Sequence, residues 1–599
     1  MKEKNVNKQV KIRSISPLIK LMKEAKVPWI SYLFFFLLNL FVTERAVRLS
    51  VIAGQFMDPE FAEHAIQDSS LILEFALSSL AIALIGFLVI PISWVSIQFQ
   101  KRAQIVSWRH ILRLSVGRID SLDPASLVSR VSTDSAFVSE VLATVLNFFR
   151  NGYWLYLSIT TLFATDSWMA TRIIPSVALS VIVTMFASKF IYKLHYRKQQ
   201  VESKLTAFLN ERFSALRTIK SEQTEALEIY NGSNINRDKF KAEVGIVTYD
   251  TFYTGYQSFI MVLLQILVIV SGAIRIANGD MQIGGLVTIF FLAQQFPGTT
   301  QSFFSSILTL IRIQGQTQVV AELTQSEGEK YMSERSLDSA LLDKNINLEN
   351  VNFSYSDSKK ILTDLSAEFK AGKVNAIVGP SGAGKTTILK LLERFYSLDS
   401  GRISLDNEDI DKYHLKEWRD NCSYIIQNSP LMPGTILDNI MYGLRSDIST
   451  VSYTDTSSLS DELKARLDEV LKISKLDEVI EKLPQGLGTD VGDLSDKISG
   501  GQRQRIAIAR ALISDPDLLL MDEATANIDS ENERLITEAI LKDREGRTTI
   551  IVAHQLATIL SAEQILLVDN GKLKASGTHD SLYSNSSLYK ELFDLQKLV

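Results

Sequence analysis

The stretch best suited to chemistry is Gly379-Pro380-Ser381-Gly382-Ala383-Gly384-Lys385-Thr386, which fits the pattern of a glycine, four residues and then Gly-Lys-Thr. It follows an apolar run typical of a buried strand, 374–378, and precedes a helical spacing of apolar residues, 387–392. A phosphate-binding loop requires this context. In such a loop backbone N–H groups surround phosphate oxygens at a helix start, Lys385 reaches the β and γ phosphates, and the Thr386 hydroxyl can bind Mg²⁺. The pattern therefore predicts a nucleotide phosphate site.

A second candidate for chemistry is the stretch 517–523, in which the apolar residues 518–521 are followed by the acids Asp522 and Glu523. A buried strand that ends in carboxylates places them at the edge where α/β sheets bind ligands. We expect Asp522 to hold Mg²⁺ and Glu523 to polarise the water that attacks the γ phosphate. Taken alone, the pair is equally compatible with two solvated acids at a strand end.

A third candidate is Ile498-Ser499-Gly500-Gly501-Gln502, directly before a long amphipathic helical pattern that begins at Arg503. Glycines that follow a serine at a helix start expose backbone N–H groups. These groups can bind an anion. The stretch predicts a second phosphate contact.

The composition indicates a membrane protein with several domains. The chain has 599 residues, of which 46% are hydrophobic, so part of it must lie in lipid. A net charge of −5 lacks the basic excess of nucleic-acid-binding proteins, and we expect no nucleic acid as a partner. The single cysteine, Cys422, excludes an intramolecular disulfide and a thiolate metal cluster.

The first half of the chain predicts a membrane domain. A basic segment, 1–26, precedes a transmembrane domain, 27–322. Each of its apolar stretches is close to the ~20 residues that span a bilayer. The six stretches are about 27–52, 71–99, 139–163, 168–192, 256–277 and 284–311.

The charges of the loops predict the orientation in the membrane. The connection after the first span has acids but no Lys or Arg, and the loops at 165–167 and 278–280 are short. The segments 100–138 and 193–255 are long, helical in pattern and rich in Lys and Arg, which indicates the cytosolic side. We therefore expect a multi-pass protein of the plasma membrane with both termini in the cytoplasm.

The second half predicts a soluble α/β domain. A polar linker, 323–345, is followed by a domain at 346–599 in which strand and helix patterns alternate. A stretch dense in Ser, Thr and Asp, 446–460, indicates a surface insertion.

These motifs together resemble an ATP-binding cassette (ABC) exporter half-transporter, and the resemblance covers nearly the whole chain. It implies the type IV exporter fold, with six transmembrane helices, long cytoplasmic extensions and a C-terminal α/β P-loop NTPase domain. Ser129–Asp134 and Gly279–Gly284 also match the exporter type. By this resemblance ATP is bound by Tyr355, the residues from Gly379 to Thr386, Thr387, Ser499, Gly500, Gly501, Gln502 and Asp529. Mg²⁺ is held by Thr386, Gln427 and Asp522, and the catalytic residues are Lys385, Gln427, Glu523 and His554.

Several positions depart from the family pattern. Ile498 replaces a leucine, and Gln555 an arginine. Ala526-Asn527-Ile528-Asp529 stands for Ser-Ala-Leu-Asp, and Asp493-Leu494-Ser495 for Glu-Arg-Gly. By resemblance the last two sites lie at the subunit interface and near the membrane helices, so communication between halves is expected to be tuned differently.

The resemblance implies a dimer, because the serine-glycine stretch of one chain completes the ATP site of another. Two bound ATP molecules would close the cassettes and drive alternating access of a cavity between the membrane halves. Segments 116–122 and 213–220 are the candidates for docking on the cassettes. A homodimer is the simpler interpretation, and a heterodimer remains open.

The expected function is ATP-driven export of an amphipathic substrate, such as a drug, a peptide or a lipid-like molecule. A flippase for lipids or lipid-linked oligosaccharides is the alternative. A nucleotide-sensing regulatory subunit is opposed by the presence of Lys385 and Glu523. Charges in or near the spans favour contact with an anionic or amphipathic cargo or, equally, internal pairing such as Glu44 with Arg48. These charged residues are Glu44, Arg45, Arg48, Glu74, Arg150 and Arg275.

Overall fold

The structure is a computed structural model, and it divides into two compact units. It describes residues 20, 22–58, 69–120, 122, 127–128, 131, 135–325, 328–329, 333, 336–337, 344–355, 360–426, 429–444, 456, 459–491, 498–522, 530–553 and 556–597. The first unit comprises 1–113 and 123–326, and the second comprises 114–122 and 327–599.

The described part of the first unit is helical. Its helices are α1 (Trp29–Gln55), α2 (Ser69–Leu112), α4 (Ser135–Thr165), α5 (Ser167–Ser214), α6 (Leu216–Ser221), α7 (Glu225–Ala277) and α8 (Ile283–Gln325). The predicted spans fall within α1, α2, α4, α5, α7 and α8, and α2, α5 and α7 continue well beyond them. Three stretches in the described residues are long and apolar enough to cross a membrane: Trp29–Gln55, Ser167–Ala187 and Glu225–Ala277. The total of six crossings stays a prediction.

Small residues and caps determine how the membrane helices meet. A Cβ at Gly54 of α1 would lie 2.3 Å from the Gly284 carbonyl oxygen of α8, so only glycine permits this approach. The Asp58 carboxylate accepts a hydrogen bond from the Gly284 N–H at 2.6 Å. Asp166 caps α5 by accepting a hydrogen bond from the Met169 N–H at 2.9 Å. Large apolar side chains that include Ile30 and Phe186 remain 88% and 70% exposed, as expected of a surface that faces lipid.

The second unit contains two sheets. Short helix α3 (Val116–Asp120) precedes the strands in the chain. The first sheet has the order β2-β1-β4-β5, and the second has the order β10-β9-β3-β8-β7-β6. The strands are β1 (Ile346–Ser354), β2 (Lys360–Phe369), β3 (Val374–Val378), β4 (Ser400–Leu405), β5 (Glu408–Asp409), β6 (Cys422–Ile425), β7 (Leu518–Asp522), β8 (Thr548–Val552), β9 (Gln564–Asp569) and β10 (Lys572–Gly577).

Helices cover the second sheet, as the alternating pattern predicted. They are α9 (Lys385–Leu392), α10 (Leu415–Asp420), α11 (Ile436–Ile440), α12 (Asp461–Ile473), α13 (Asp477–Ile480), α14 (Gly500–Leu512), α15 (Ser530–Asp543), α16 (Leu556–Ser561), α17 (His579–Asn585) and α18 (Ser587–Lys597). Strands β9, β3, β8, β7 and β6 run parallel, and β10 pairs antiparallel at one edge.

Strand β7 shows why this sheet lies in the middle of the unit. Leu518 and Leu520 join the core shared with the first sheet, and Leu519 and Met521 join the core under α14. Successive side chains of a strand face opposite ways, so a run of apolar residues fits a strand that is covered on both faces.

Candidate functional site

The phosphate loop lies between β3 and α9, and two of its glycines are required for steric reasons. A Cβ at Gly379 would lie 1.9 Å from the Val568 carbonyl oxygen of β9. Gly384 has a φ of +100°, which disfavours any side chain, and its Cβ would lie 2.7 Å from Leu362. The loop can therefore lie directly against β9 and start α9 at Lys385.

The side chain of Lys385 lies inside this loop. Its ammonium donates hydrogen bonds to the carbonyl oxygens of Gly379, at 2.7 Å, and Pro380, at 3.0 Å. The residue is only 6% exposed. The charge is thus held at the centre of the loop, where a phosphate group would be bound.

The predicted metal ligands Thr386 and Asp522 are adjacent although they are far apart in sequence. The Thr386 hydroxyl donates a hydrogen bond to Asp522 Oδ1 at 3.0 Å. A hydroxyl beside a carboxylate supplies the oxygen donors that Mg²⁺ prefers. The residues present therefore fit a magnesium ion next to the phosphate loop.

Tyr424 belongs to the same site, and the sequence analysis missed it. Its hydroxyl donates a hydrogen bond to Asp522 Oδ2 at 3.3 Å. Burial, together with the nearby Asp522 charge, raises the pKa of the Tyr424 phenol, so it remains a neutral donor. No local pattern marks this residue, because its partner Asp522 is 98 positions away in the sequence.

The parallel strands bring the predicted motifs to one edge of the sheet. Val552 of β8 is paired with Ile377 of β3 and with Asp522 of β7, and Met521 is paired with Ile425 of β6. The phosphate loop, Asp522 and the ends of β6 and β8 therefore share this edge. Four predicted site residues lie outside the described part of the chain: Gln427, Glu523, Asp529 and His554. The departures at 493–495, at 526–529 and at Gln555 also lie outside it.

Tyr355, the predicted adenine contact, lies beside the start of α9. Its hydroxyl shares a hydrogen bond with the Thr387 hydroxyl at 3.2 Å, and 47% of the residue is exposed. The rings of Phe353 and Tyr396 meet it edge to face, with centroids 4.9 and 5.1 Å away. Its orientation is thus supported by two aromatic neighbours while much of its surface stays open to a ligand.

Tyr396 links Tyr355 to helix α3. Its hydroxyl donates a hydrogen bond to the Asp120 carboxylate, and a Cβ at Gly117 would lie 2.8 Å from its ring. Burial is the main reason that the pKa of Tyr396 is raised, so the phenol keeps its proton. One predicted docking segment, 116–122, thus packs on the nucleotide-binding unit of its own chain. The other, 213–220, belongs to the first unit.

The predicted second phosphate contact begins helix α14. The Ser499 hydroxyl accepts a hydrogen bond from the Gln502 N–H at 3.2 Å, and the Gln502 side chain accepts one from the Ser499 N–H at 2.9 Å. This reciprocal capping box fixes the start of the helix. Ser499 is exposed on the surface of the chain.

Several described residues of the predicted linker contact α10 or His414, the residue before it. Arg419 forms two hydrogen bonds of 2.9 Å with the carboxylate of Glu329, whose side chain is 8% exposed. The Arg419 guanidinium also donates to the carbonyl oxygens of Glu393, at 3.3 Å, and Arg394, at 3.1 Å. Further along the linker, His414 Nδ1 and the Glu417 carboxylate accept hydrogen bonds from the N–H groups of Ser333 and Leu337.

Glu393 is a buried acid at the end of α9. Burial raises its pKa to about 7, although hydrogen bonding to Cys422 and the charge of Arg419 oppose the shift. Its Oε2 atom is buried and has no hydrogen-bond partner in the part of the chain that the structure describes. The carboxyl group is therefore poorly compensated when it is ionised.

Three of the six predicted charges in or near the spans form ion pairs between α1 and α2. Arg45 Nη1 and Arg48 Nε lie 3.4 and 3.1 Å from the same atom, Glu74 Oε1. Internal pairing was predicted for Arg48 with Glu44 as its partner. The partner in the structure is Glu74 of α2, a residue that is distant in sequence and near in space.

Arg275 also has acidic partners. It binds Asp166 at 2.9 Å and Asp280 at 2.8 Å, which joins the ends of α4 and α7. This supports internal pairing for Arg275 rather than contact with cargo.

Known families match both halves of the chain. Residues 18–300 match the ABC transporter transmembrane region, and residues 362–526 match the ABC transporter family of the ATP-binding domain. The "Multidrug resistance ABC transporter ATP-binding and permease protein" of Lactococcus lactis subsp. lactis (strain IL1403) is 29% identical over 99% of this chain and 98% of its own length.

Two further comparisons agree. The "ATP-dependent lipid A-core flippase" of Haemophilus influenzae (strain 86-028NP) is 28% identical over 84% of each chain. A bacterial Atm1-family ABC exporter with ATP bound has a similar fold, with a TM-score of 0.78, 24% identity and coverage of 96% of this chain and 99% of that one. A transmembrane region and an ATPase domain thus follow one another in a single polypeptide, and the chain belongs to the ABC transporters as a half-transporter of the exporter type whose ATPase activity is coupled to transport.

Proposed function

We propose that the chain exports an amphipathic substrate across the plasma membrane as part of a dimer that alternates between inward and outward access. The observation that carries the proposal is the pairing of Thr386 with Asp522 beside the phosphate loop, in a chain that also contains a transmembrane region. The multidrug relative supports a drug-like cargo, and a peptide or a lipid-like molecule has the same amphipathic character.

In this proposal each residue of the site has a separate task. Tyr355 stacks on adenine, the loop N–H groups and Lys385 bind the phosphates, and Thr386 and Asp522 hold Mg²⁺ together with Gln427. The metal ion, when bound, neutralises phosphate charge. Glu523 orients and polarises the attacking water, and His554 contacts the γ phosphate from the neighbouring strand end.

The exposure of Ser499 supports a dimer. A capped helix start with glycine N–H groups at the surface can contact the nucleotide of a second chain. Because ATP would then bind the closed pair more tightly than the open chains, it can drive closure, and hydrolysis can reverse it. We propose a homodimer, since this one chain contains both parts of the shared site.

The orientation is proposed from charge alone. The basic extensions of α2, α5 and α7 belong on the cytoplasmic side, where the ATPase domain and both termini also lie. The acidic connection between α1 and α2 then faces outward.

A lipid flippase is the second candidate, and it is supported by the relative that carries this name. The two functions share one ATPase mechanism and differ in the route of the substrate. A flippase would move a labelled lipid between leaflets without releasing it to water.

The test is reconstitution of the purified chain in lipid vesicles, with ATPase and transport measured for wild type and Glu523→Gln. We expect ATP-dependent uptake of an amphiphilic dye into inside-out vesicles, and loss of most hydrolysis with retained ATP binding in the variant. Full turnover by Glu523→Gln would contradict the assigned base. Movement of labelled lipid without dye uptake would favour the flippase.

A further inference from the structure

The three ionised side chains between α1 and α2 are not balanced in charge. Two guanidinium groups, Arg45 and Arg48, converge on one carboxylate oxygen of Glu74. The structure joins Arg48 to Glu74, and Glu44 is exposed one turn before it on α1. Within the described residues this cluster therefore carries one more positive than negative charge.

A cavity of about 490 Å³ opens next to this cluster. Arg45 and Glu74 line it, and most of the remaining wall is apolar: Phe41, Leu73, Leu77 and Leu80. Pockets of several hundred Å³ with an apolar wall and a few placed polar groups are typical of small-molecule sites. This cavity has that combination, with the charge at one side.

Arg45 has hydrogen-bonding capacity that the protein does not use. Among the described residues its buried Nε atom has no hydrogen-bond partner, and its contact with Glu74 is 3.4 Å long, which is weak for a charged pair. Its guanidinium also lies over the Phe41 ring, 5.3 Å from the centroid. An arginine that is held by an aromatic ring and weakly bound to its acid can donate hydrogen bonds to an anionic oxygen of a ligand.

The cluster lies within the apolar part of both helices. Arg45 is ten residues before the end of α1 at Gln55, a rise of about 15 Å, and Glu74 is five residues after the start of α2, a rise of about 8 Å. Charges at such depth are costly unless they are paired or functional. In the proposed orientation this depth corresponds to the outer half of the bilayer.

We propose that the cavity between α1 and α2 binds an amphiphile with a single anionic oxygen-bearing group. Its anion contacts Arg45 and is attracted by the nearby charge of Arg48, and its chain lies along Phe41, Leu73 and Leu77. Two sources share this chemistry: a phospholipid with an anionic headgroup and a free single-chain amphiphile. Only the second source, a transported amphiphile, rests on the proposed export function.

The charge cluster gives a test in which two substitutions have opposite effects. Arg45→Gln removes a donor and should weaken binding of an anion about tenfold. Glu74→Gln removes the competing carboxylate and should strengthen binding several-fold. If the ion pair is only structural, both substitutions should destabilise the protein. Neither should then change its preference for anionic over cationic probes.

The control variant is Arg172→Gln. Arg172 lies on a different membrane helix, α5, where it contacts the Trp168 ring at 3.4 Å. Its replacement removes the same charge without touching the cavity. Thermal unfolding of every variant identifies any that fails to fold, and Arg48→Gln provides a second donor variant should Arg45→Gln fail.

The measurement is native mass spectrometry of the full chain released from a neutral detergent, with phosphatidylglycerol, phosphatidylcholine, dodecyl phosphate and dodecyltrimethylammonium as probes. Preferential retention of phosphatidylglycerol with the predicted order of variants assigns the site to a membrane lipid. The same order with dodecyl phosphate alone assigns it to a free amphiphile. Equal retention of anionic and cationic probes, or identical behaviour of Arg45→Gln and Arg172→Gln, would overturn the proposal.

Since no ATP is added, this measurement does not depend on export. Loss of ATPase activity in the Glu523→Gln vesicles and loss of anion selectivity in Arg45→Gln are separate results. Either proposal can fail while the other holds.

Discussion

Tyr355 has a rigid setting for a residue that is nearly half exposed. Two ring edges and a hydroxyl contact hold it beside α9, so little side-chain freedom is lost when a base stacks on it. The contributions of the ring and of the hydroxyl to ATP affinity can therefore be measured separately.

We predict that Tyr355→Ala weakens ATP binding about tenfold or more, since stacking of a base on an aromatic ring contributes roughly 1–3 kcal/mol. Tyr355→Phe keeps the ring and loses only the contact with Thr387, so its affinity should change less than about threefold. Equilibrium binding of a fluorescent ATP analogue measures both. Equal losses in the two variants would show that the hydroxyl, not the ring, is important.

Glu393 predicts a pH dependence of stability. Its folded pKa of about 7 lies above the ordinary value of about 4.3, so the folded state binds the extra proton between these values. Its contribution to stability is fully present below about pH 4.3 and is lost as the pH rises through about 7. The loss at high pH is on the order of a few kcal/mol.

Glu393→Gln should therefore be more stable than wild type near pH 8, and the difference should shrink toward about pH 5. Thermal unfolding of both proteins across this pH range measures the difference in their stability. The contributions of the other titrating groups are the same in both proteins and cancel in this difference. A difference that is constant with pH would mean that Glu393 is already ionised in the folded protein at the lower pH.

Much of the site could be predicted from sequence because its residues fall in short local patterns. The phosphate loop, Asp522 and the capped Ser499 each lie at a strand or helix boundary that a local pattern marks. The structure brings the phosphate loop and Asp522 to one sheet edge, and the roles of these residues stay a prediction. Tyr424 and Tyr396 could not be found in this way, since their partners, Asp522, Tyr355 and Asp120, are brought near only by the sheet and by tertiary packing.

Helix α10 is the element that binds the linker to the ATPase fold. Arg419 contacts the mostly buried Glu329 on one side and the carbonyl groups after α9 on the other. It thereby connects the linker with the helix that starts at the phosphate loop.

Arg419→Gln should release the linker and destabilise the ATPase domain by about 2 kcal/mol, because it leaves the Glu329 carboxylate with little exposure and no cation. Hydrogen exchange should rise about tenfold or more at Glu329, Ser333 and Leu337. The matched control is Arg402→Gln, whose pair with Glu349 has side chains 47% and 39% exposed; solvent screens this pair, so its loss should change stability little. Unchanged exchange in Arg419→Gln would show that the remaining contacts hold the linker.

At this scale the sequence predicted the types of element better than their ends. Apolar length identified the membrane helices and alternation identified β1, but α2 extends to Leu112 before α3 begins. The position of α3 in the nucleotide-binding unit depends on packing against Tyr396, which no local pattern encodes.

The whole transporter should need two copies for each ATP site. We predict that Lys385→Ala chains and Ser499→Arg chains are each inactive alone, and that their coexpression restores a measurable fraction of the ATPase activity. In the mixed dimer both defects fall in one site, and the other site is intact. ATPase rates of the purified mixed dimer, isolated with two different tags, measure the recovery.

The control is a mixture of the two inactive homodimers, Lys385→Ala and Ser499→Arg, purified separately and mixed without exchange of subunits. It measures the simple sum of their residual activities. Absence of recovery in a verified mixed dimer would show that each chain uses its own Ser499, or that two working sites are required together.

The contact of Tyr396 with both Tyr355 and α3 allows free-energy coupling between the nucleotide site and α3. If bound nucleotide stabilises the position of α3 through these rings, thermodynamic reciprocity requires α3 to change nucleotide affinity by the same factor. A displacement of α3 would then change ATP affinity, even where every direct contact with the nucleotide is preserved.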